Sequence, residues 1–418
     1  MKKDIKFLTR NFGRYDTTSI GSYMNIGGFQ AFRKAIAMGP EQVTERISAA
    51  KIRGRGGAEY DLGRKWAQAR AVKGENKIII CNADEGETTT FKDRELIKND
   101  PFNLIESMII AGYVVGATDG YIYMRAEYSC YRPLLLGAIR QALNNAFLGT
   151  NILGTGFNFN LHLYSGAGAY VCGEGTALIR SIEGKAGRPR MKPPFIKQSG
   201  AFARPTCLNN VESLSLVPHL LMDEEGLYMS CGTESSIGTK MISVAGNVRN
   251  PGCFEIPFGT TVREIIYGLA GGVQKDRKIQ LIQFGGASGK IADASILDTP
   301  YAYDELRAAG VTVGSGAILV IDERTSVLDF LRMNQEFFSE ESCGQCTPCR
   351  EGNLHIKIIL DKMAAGTATK EDVAFMEKIA RVMSRSSLCG LGETAQNSLL
   401  AAMKVFPEVF EIGGTKYV

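Results

Sequence analysis

The sequence lacks a hydrophobic run long enough to cross a membrane. No stretch of about 18 consecutive apolar residues, the length typical of a transmembrane helix, occurs in the chain of 418 residues. The most apolar segment, residues 104–115, is interrupted by Glu106 and Gly112 and is typical of a buried helix. We therefore expect no direct membrane insertion.

Charge of one sign is also scarce. Lysine and arginine total 48 against 44 aspartates and glutamates, a formal net charge of +4, and no basic block or basic stripe with interleaved aromatic residues occurs. Nucleic-acid binding is therefore not expected. The first residues, Met1 to Asp4, lack the apolar region of a signal peptide and the bias of a transit peptide. We expect a cytoplasmic protein, which could reach the inner membrane only through partner subunits.

Ten cysteines in a chain without a secretion signal favour metal chemistry over disulfides. Cys343, Cys346 and Cys349 are spaced C-x2-C-x2-C, and Cys389 follows 40 residues later. Three thiolates from one loop and a fourth from a distance are the ligand set of a [4Fe–4S] cluster. A zinc site is the first alternative, but zinc sites commonly use two separated C-x2-C pairs or histidine, and only His355 is near. The second alternative is that these cysteines form disulfides or bind no metal.

The other six cysteines are expected to be small buried hydrophobic residues. They are Cys81, Cys130, Cys172, Cys207, Cys231 and Cys253.

The first half of the chain alternates strands and helices. Strands are predicted at 77–81 and 120–125, and helices at 101–117 and 131–146. This order predicts a parallel βαβ sheet. The polar, acidic segment 82–87 follows the first strand, at the end of a strand where open α/β sheets bind their ligands.

Two glycine-rich segments are candidate anion sites. Residues 51–58 carry three glycines and two arginines, which is typical either of a nucleotide-binding loop or of an ordinary surface turn. Residues 166–176 open a helix, but Val171 replaces the third glycine of the dinucleotide fingerprint. Asn210 could cap the helix that follows or, with Asn209, donate to a phosphate or sugar. The proline-stiffened segment 188–195 fits a ligand clamp or a rigid connection.

The chain is expected to form three domains. Residues 1–236 form the first, and strands with one helix at 261–269 predict a small β-grasp-like α+β domain over 237–323. Its segment 285–290 only superficially matches a P-loop, because Ile291 stands where a hydroxyl is needed. Residues 324–418 are expected to form a helical bundle around the cysteines, with helices at 327–340, 350–365, 370–383 and 392–406.

In order along the chain, these segments resemble the NADH-binding flavoprotein subunit of respiratory complex I and the related diaphorase subunits of soluble hydrogenases and formate dehydrogenases. The similarity rests on residues 53–58, 81–85, 91–94, 166–170, 172–174, 192–195, 205–206 and 209–212 together with the four cysteines. The resemblance therefore covers nearly the whole chain.

The resemblance implies FMN in a Rossmann-like domain, a β-grasp domain of the soluble-ligand-binding type, and a [4Fe–4S] cluster in a helical bundle. A hydride passes between NAD(P)H and FMN, and single electrons pass on to the cluster. No protein acid or base is assigned to the transfer. The implied partners are a thioredoxin-like [2Fe–2S] subunit and a larger iron–sulfur subunit.

The resemblance also implies roles for individual residues. Those facing FMN or the dinucleotide cleft are Gly54, Arg55, Gly56, Gly57, Tyr60, Lys65, Asn82, Asp84, Glu85, Tyr170, Gly173 and Glu174, with Asn209 and Asn210 at the FMN tail. Glu87 is implied to take a ribose hydroxyl of NADH, and Lys192 and Phe195 its adenosine side. The implied cluster ligands are Cys343, Cys346, Cys349 and Cys389.

Departures from the family pattern concentrate on the dinucleotide residues. Where the family usually has Gly-Phe-Pro-Thr, this chain carries the carboxylates Glu59 and Asp61, and Gln68 stands in place of an aromatic residue. Thr88 and Thr89 replace a usual Pro-Gly, and Gly175 replaces the second of two glutamates. One hypothesis is that nicotinamide use is altered in affinity, in the choice of NADH or NADPH, or lost. The other is sequence drift with NADH oxidation intact. Two further classes are a redox-inactive assembly subunit and a zinc-containing nucleotide-binding module.

Overall fold

A computed structural model describes residues 5–412 of the chain. The strands in this range are β1 (Lys77–Ala83), β2 (Ala117–Met124), β3 (Asn160–Ser165), β4 (Thr206–Asn210), β5 (Thr239–Gly246), β6 (Gly252–Pro257), β7 (Ile279–Phe284), β8 (Lys290–Ala292) and β9 (Ala317–Asp322). The α-helices are α1 (Ile20–Asn25), α2 (Gln30–Ala49), α3 (Leu62–Ala71), α4 (Lys92–Asn99), α5 (Pro101–Val115), α6 (Arg132–Asn144), α7 (Gly175–Ile182), α8 (Val211–Leu221), α9 (Tyr303–Ala308), α10 (Val327–Glu341), α11 (Thr347–Ala364), α12 (Lys370–Ser386), α13 (Gly390–Thr394) and α14 (Asn397–Val405).

The first sheet has four parallel strands in the order β3-β2-β1-β4. The predicted βαβ arrangement is therefore confirmed, with β1 in the middle and Ile78 to Ile80 fully buried. Strand β4 was not predicted. It pairs with β1 so that Asn209 lies opposite Cys81 and Asn210 opposite Asn82. This pairing brings Asn209 and Asn210 to the carboxyl end of β1.

The boundary between α5 and β2 differs from the prediction. The helix ends at Val115, because Gly116 adopts the left-handed conformation (φ 77°) and its N–H bonds the carbonyl oxygen of Gly112. Glycine takes this conformation without steric cost and commonly ends helices. Strand β2 therefore starts at Ala117, three residues before its predicted start.

The second sheet is mixed, in the order β6-β5-β9-β7-β8. Strand β5 pairs antiparallel with β6 and parallel with β9. Its core includes Ile242, Phe258 and Ile318 and is separate from the core under the first sheet. The helix predicted at 261–269 is a π-helical segment, Glu264–Leu269.

The C-terminal helices form as predicted except the last, which is two helices, α13 and α14. Ile78 and Ile80 of β1 belong to the same hydrophobic cluster as Ile356 of α11 and Met383 of α12. One side of the first sheet is therefore joined to the helical region through apolar packing.

Of the six other cysteines, Cys130 is exposed and Cys253 half-buried, so the expectation of burial is wrong for Cys130. Cys130 lies in a 3-10 turn before α6. Within residues 5–412, no helix is both long and apolar enough to span a bilayer.

Candidate functional site at the strand ends

The half-buried Asp84, which follows β1 at its carboxyl end, has one buried carboxylate oxygen without a hydrogen-bond partner. The amide of Asn82 donates to the carbonyl oxygen of Gly173 (2.8 Å), and its oxygen accepts the N–H of Asp84 (3.0 Å). Oδ2 of Asp84 is buried and bonds no described residue. Burial raises the pKa of Asp84 to about 7, against the lowering effect of Arg125. A side chain at Gly173 would lie 3.3 Å from the carbonyl oxygen of Asp84. The orphaned acid is therefore aimed into a place kept free of side chains.

The first glycine-rich loop lies against the same strand ends. A Cβ atom at Gly56 would lie 3.2 Å from Cβ of Asn210, and one at Gly54 would lie 3.2 Å from the carbonyl oxygen of Tyr60. Gly57 has φ +103°, where an L side chain is strained. The structure thus brings the loop, Asn210 and Asp84 into one place, which we call the strand-end site.

The side chain of Arg55 does not point into this site, although its backbone belongs to the glycine-rich loop. Its side chain is buried (1% exposed) and donates to the hydroxyls of Tyr303 (3.1 Å) and Tyr228 (2.9 Å). It also bonds the carbonyl oxygen of Thr239 (3.0 Å) and lies 4.0 Å from Glu212. A buried guanidinium requires partners, and these partners lie toward the second sheet, away from the strand ends.

The side chain of Asn209 also faces away from the predicted position. It is buried, and its oxygen accepts the indole N–H of Trp66 (3.2 Å). Successive side chains of a strand point to opposite faces, so Asn209 and Asn210 cannot serve one ligand in the same way. Asn210 caps α8 by accepting the N–H of Glu212 (3.0 Å) and donates to Asp93 (2.5 Å). The capping alternative is confirmed, while Asn210 remains at the site.

Two charged residues near the site differ in what they offer a ligand. The carboxylate of Glu85 accepts the N–H groups of Asp93 (2.9 Å) and Arg94 (3.2 Å) and the hydroxyl of Tyr128 (2.9 Å). It therefore holds the start of α4, and its predicted contact with a flavin is not supported. Lys65 makes one bond, to the carbonyl oxygen of Leu208 (3.2 Å), and burial lowers its pKa. Two ammonium donors of Lys65 remain for a ligand.

Glu87 is held by donors from two other parts of the chain. Its carboxylate accepts the hydroxyl of Tyr170 (2.7 Å) and both the N–H (3.0 Å) and the hydroxyl (2.7 Å) of Ser288. Burial raises the pKa of Glu87. Ser288 lies in segment 285–290, which the sequence matched only superficially to a P-loop. Only its glycines and small polar residues could have indicated such a close approach.

The predicted adenosine side is open. Glu174 caps α7 by accepting the N–H groups of Thr176 (2.8 Å) and Ala177 (3.0 Å), and its other oxygen lies 3.4 Å from the ammonium of Lys192. The ring of Phe195 is 49% exposed. Lys192 and Phe195 are thus available to a ligand beside the start of α7.

The extra carboxylates of this sequence both have protein partners. Glu59 lies 3.8 Å from Arg53 and 3.1 Å from Arg307. Burial raises the pKa of Glu59, and the two arginines partly offset this rise. Asp61 caps α3 through the N–H of Arg64 (2.6 Å). The charge of Glu59 is therefore offset by two arginines, while the carboxylate of Asp61 is held at the start of α3 by a backbone N–H.

Gln68, the substitute for an aromatic residue, is also engaged. It accepts the hydroxyl of Tyr60 (3.1 Å) and the ammonium of Lys197 (2.9 Å). The ring of Tyr60 is 40% exposed. An aromatic surface therefore remains available at this side of the site.

The four cysteines of the two motifs line one small cavity. Its other lining residues are Val171, Pro189, Ser342, Gln345, Leu388 and Leu391. The thiol of Cys349 lies 3.3 Å from both the amide of Asn353 and the hydroxyl of Ser342. Burial raises the pKa of Cys349, and that of Cys389 to about 11. Within residues 5–412 no group of three or more His, Cys, Asp or Glu is gathered closely enough for a single ion.

The cavity and the strand-end site share one segment. Val171 lines the cavity, and the backbone N–H of its neighbour Tyr170 bonds Glu341 (2.9 Å), the last residue of α10. The ring of Tyr170 packs against Phe337 at 5.2 Å. Two residues beyond Val171, Gly173 contacts the strand-end site. The segment 170–173 therefore touches both the cysteine cavity and the strand-end site.

Comparison with known proteins agrees with this geometry. Residues 47–219 match the Nuo51 FMN-binding domain, 241–292 the SLBB domain, and 329–413 the iron–sulfur binding region of NADH-ubiquinone oxidoreductase-F. The F subunit of the NADH-quinone oxidoreductase of Aquifex aeolicus is 40% identical over 94% of this chain and 91% of its own length. The chain belongs to this family of NADH-quinone oxidoreductase flavoprotein subunits. NADP-reducing hydrogenase subunit HndC of Solidesulfovibrio fructosivorans is 38% identical over 98% of this chain and 84% of its own length.

A solved structure shows the same fold. NAD+-reducing [NiFe]-hydrogenase in the H2-reduced state matches with a TM-score of 0.84 and 33% identity over 94% of this chain. The chain spans 66% of the matched hydrogenase chain. The predicted family, FMN, the [4Fe–4S] cluster and electron transfer from NADH through FMN to the cluster are confirmed.

The residues present fit both cofactors. A cavity lined by four cysteines suits an iron–sulfur cluster. The strand-end site offers an orphaned buried acid, a lysine with free donors and glycines at the points of closest approach, as a flat polar ligand requires. The family match and this geometry leave no support for the zinc alternatives of the sequence analysis.

Thr89 is expected to reduce stability. Its φ is +67°, in the left-handed region, where a β-branched residue is strained. Replacing it with glycine should raise the free energy of unfolding by about 0.5–1 kcal/mol, the relief of strain less the entropy of a more flexible unfolded chain. Denaturant unfolding of Thr89→Gly measures this. Thr299 has φ −73°, and Thr299→Gly should lower stability instead; equal losses in both variants would contradict the account.

Proposed function

We propose that the strand-end site holds FMN and that the dinucleotide binds between it and Lys192. Support comes from one observation above all: the orphaned Asp84 faces a side-chain-free place directly beside the segment that lines the cysteine cavity. The residues we assign to FMN are Gly54, Gly56, Gly57, Lys65, Asn82, Asp84, Gly173 and Asn210. Those assigned to the dinucleotide are Tyr60, Glu87, Tyr170, Glu174, Lys192 and Phe195.

FMN, when bound, accepts a hydride from the dinucleotide and releases electrons singly. The residues of this chain orient the ligands and supply charge. The side-chain amide of Asn82 donates to the carbonyl oxygen of Gly173 and so fixes the backbone beside the place assigned to the flavin. Lys65 places a positive charge beside Leu208 of β4. Asp84, with a pKa of about 7, can hold or release a proton at Oδ2 near neutral pH.

We propose that the cluster is ligated by Cys343, Cys346, Cys349 and Cys389 and passes electrons to partner iron–sulfur subunits. A thioredoxin-like [2Fe–2S] subunit and a larger iron–sulfur subunit are the proposed partners. The proposed domains are 1–236, Rossmann-like; 237–323, β-grasp-like; and 324–418, a helical bundle. The names of relatives as quinone oxidoreductase and hydrogenase subunits support membership of a larger complex. A cytoplasmic location, with membrane contact only through partners, is proposed with it.

We propose that nicotinamide oxidation is intact and that the site accepts NADPH as well as NADH. The partners found for Glu59 and Asp61 argue against lost binding. Gly175, at the start of α7, stands where the family pattern has a second glutamate, next to the ion pair of Glu174 and Lys192. Without that carboxylate, a phosphate on the adenosine ribose would meet less repulsion. One relative is named an NADP-reducing hydrogenase subunit.

Gly175→Glu tests this choice. A Cβ at Gly175 would meet Ile196 and Leu208 at 3.8 Å, an ordinary contact, so the side chain can be accommodated. The added charge should lower kcat/KM for NADPH relative to NADH by about tenfold, as expected for 1–2 kcal/mol of repulsion at a partly exposed site. The measurement is flavin reduction in the holoprotein with each dinucleotide.

Gly175→Gln is the control, because it has nearly the same size without the charge. The preference of this variant between NADPH and NADH should stay close to that of the wild type. An unchanged ratio of kcat/KM for NADPH to kcat/KM for NADH in Gly175→Glu would contradict the proposal that Gly175 lets the site accept NADPH. Failure of both dinucleotides to bleach the wild-type flavin would contradict nicotinamide use altogether.

A further inference from the structure

The carboxylate of Glu87 has little capacity left for a substrate. Its Oε2 accepts two hydroxyls, of Tyr170 and of Ser288, each at 2.7 Å, and its Oε1 accepts the N–H of Ser288 at 3.0 Å. A carboxylate oxygen offers about two acceptor positions. Oε2 is therefore filled by protein donors while Oε1 keeps one position, so a ribose whose two hydroxyls bond both oxygens must displace a donor from Oε2.

The position of the donor Ser288 depends on one glycine and on two hydrogen bonds to α14. Gly286 has φ +89°, and a Cβ there would lie 2.2 Å from Cγ of Glu87, so the 285–290 loop reaches the carboxylate only because this residue is glycine. The carbonyl oxygen of Ser288 accepts the amide of Asn397 on α14 at 2.7 Å, and that of Gly289 accepts the hydroxyl of Ser398 at 3.0 Å. The loop is thus held from the helical region while it contacts Glu87.

A second bond closes the loop over the same place. The hydroxyl of Thr88 accepts the N–H of Ala287 at 3.1 Å. Thr88 therefore attaches the loop directly beside Glu87.

We propose that Ser288 is a positioning residue that competes with the dinucleotide ribose for Glu87, so that the 285–290 loop is a latch which the substrate opens. This proposal rests on the role of Glu87 in dinucleotide binding proposed above. The latch weakens dinucleotide binding by the free energy needed to release a hydroxyl donor. It does not act on the hydride transfer itself.

The test is Ser288→Ala in the full chain loaded with both cofactors. Removing the hydroxyl vacates one acceptor position on Oε2 and leaves the backbone N–H of residue 288 in place. The Kd of NAD+, measured by calorimetry, should fall about three- to tenfold, the effect of one hydrogen bond. The KM for NADH should fall by a similar factor with kcat of flavin reduction nearly unchanged, a split that general loss of structure would not produce.

Two further variants complete the experiment. Thr88→Val keeps the branched shape without the acceptor for Ala287 and should also lower Kd, by a smaller factor, so the proposal remains testable if Ser288→Ala folds poorly. Ser295→Ala removes an exposed hydroxyl of the same domain that bonds Asp293 and should leave Kd unchanged.

An unchanged or raised Kd for NAD+ in Ser288→Ala and Thr88→Val overturns the latch. Wild-type protein that is reduced by NADH while the variants show no gain in affinity overturns the latch alone and leaves the proposed function standing. Wild-type protein that binds neither dinucleotide overturns both.

Discussion

Replacing Cys349 with serine is expected to abolish the [4Fe–4S] cluster while FMN stays bound. The thiol of Cys349 lines the cavity with the other three cysteines and is buried beside Asn353 and Ser342. Serine supplies a weaker, harder ligand than thiolate. Iron content should drop from about four per chain to well below one, and electron transfer beyond the flavin should fall by more than about a hundredfold.

The flavin provides the internal reference for this variant. Its residues lie on strand ends of the first sheet, so bleaching by NADH should persist in Cys349→Ser. Cys130→Ser is the matched control, since Cys130 is exposed and outside the cavity. Wild-type iron content and cluster spectrum in Cys349→Ser, or zinc in place of iron in the wild type, would contradict the assignment.

Glu212→Gln is expected to have the largest effect on stability. Glu212 is fully buried and lies 2.6 Å from Lys240, 3.0 Å from Lys92 and 4.0 Å from Arg55. Its carboxylate also accepts the N–H of Met241 (3.1 Å), at the start of the second sheet. Removing the charge leaves buried cations without their shared partner, which costs about 3–5 kcal/mol in comparable sites. Denaturant unfolding measures the loss.

The control for this variant is an exposed ion pair. Glu224, whose side chain is 78% exposed, lies 3.0 Å from Lys34. Glu224→Gln should change the free energy of unfolding by less than about 0.5 kcal/mol. A similarly small loss in Glu212→Gln would show that the buried network does not hold the two sheets together.

The same network predicts how stability depends on pH. Burial alone would raise the pKa of Glu212, but Lys240, Lys92 and Arg55 lower it to about 2. A carboxyl with a lowered native pKa stabilises the fold above its unfolded pKa of about 4.3, and this stabilisation is lost as pH falls toward 2. Glu212→Gln should therefore show a weaker loss of stability than wild type over that acidic range.

The sequence predicted the first sheet, the cysteine site and the strand-end location of the ligand, because each depends on local patterns. Runs of β-branched residues, C-x2-C spacing and glycine loops are visible without tertiary contacts. Strand β4 was missed because five residues, ending in two asparagines, carry almost no strand pattern. Its pairing with β1 is what makes it a strand.

Two side chains assigned to the site point elsewhere in the structure, because motif matching does not give the direction of a side chain. Alternation along β4 sends Asn209 to Trp66 and leaves Asn210 at the site. Arg55 lies between two glycines that contact the site, yet its own side chain turns to buried partners near the second sheet. Ser288 was missed because its contact with Glu87 joins residues 201 positions apart, which no local motif indicates.

The central claim is that a dinucleotide reduces FMN at the strand-end site and that the electrons leave through the four-cysteine cluster. Anaerobic stopped-flow mixing of the purified holoprotein with NADH, with flavin and cluster absorbance followed separately, tests it most directly. The account predicts that the flavin bleaches first and the cluster follows, with the second phase missing in Cys349→Ser. Cluster reduction without prior flavin bleaching, or a normal second phase in Cys349→Ser, would contradict it.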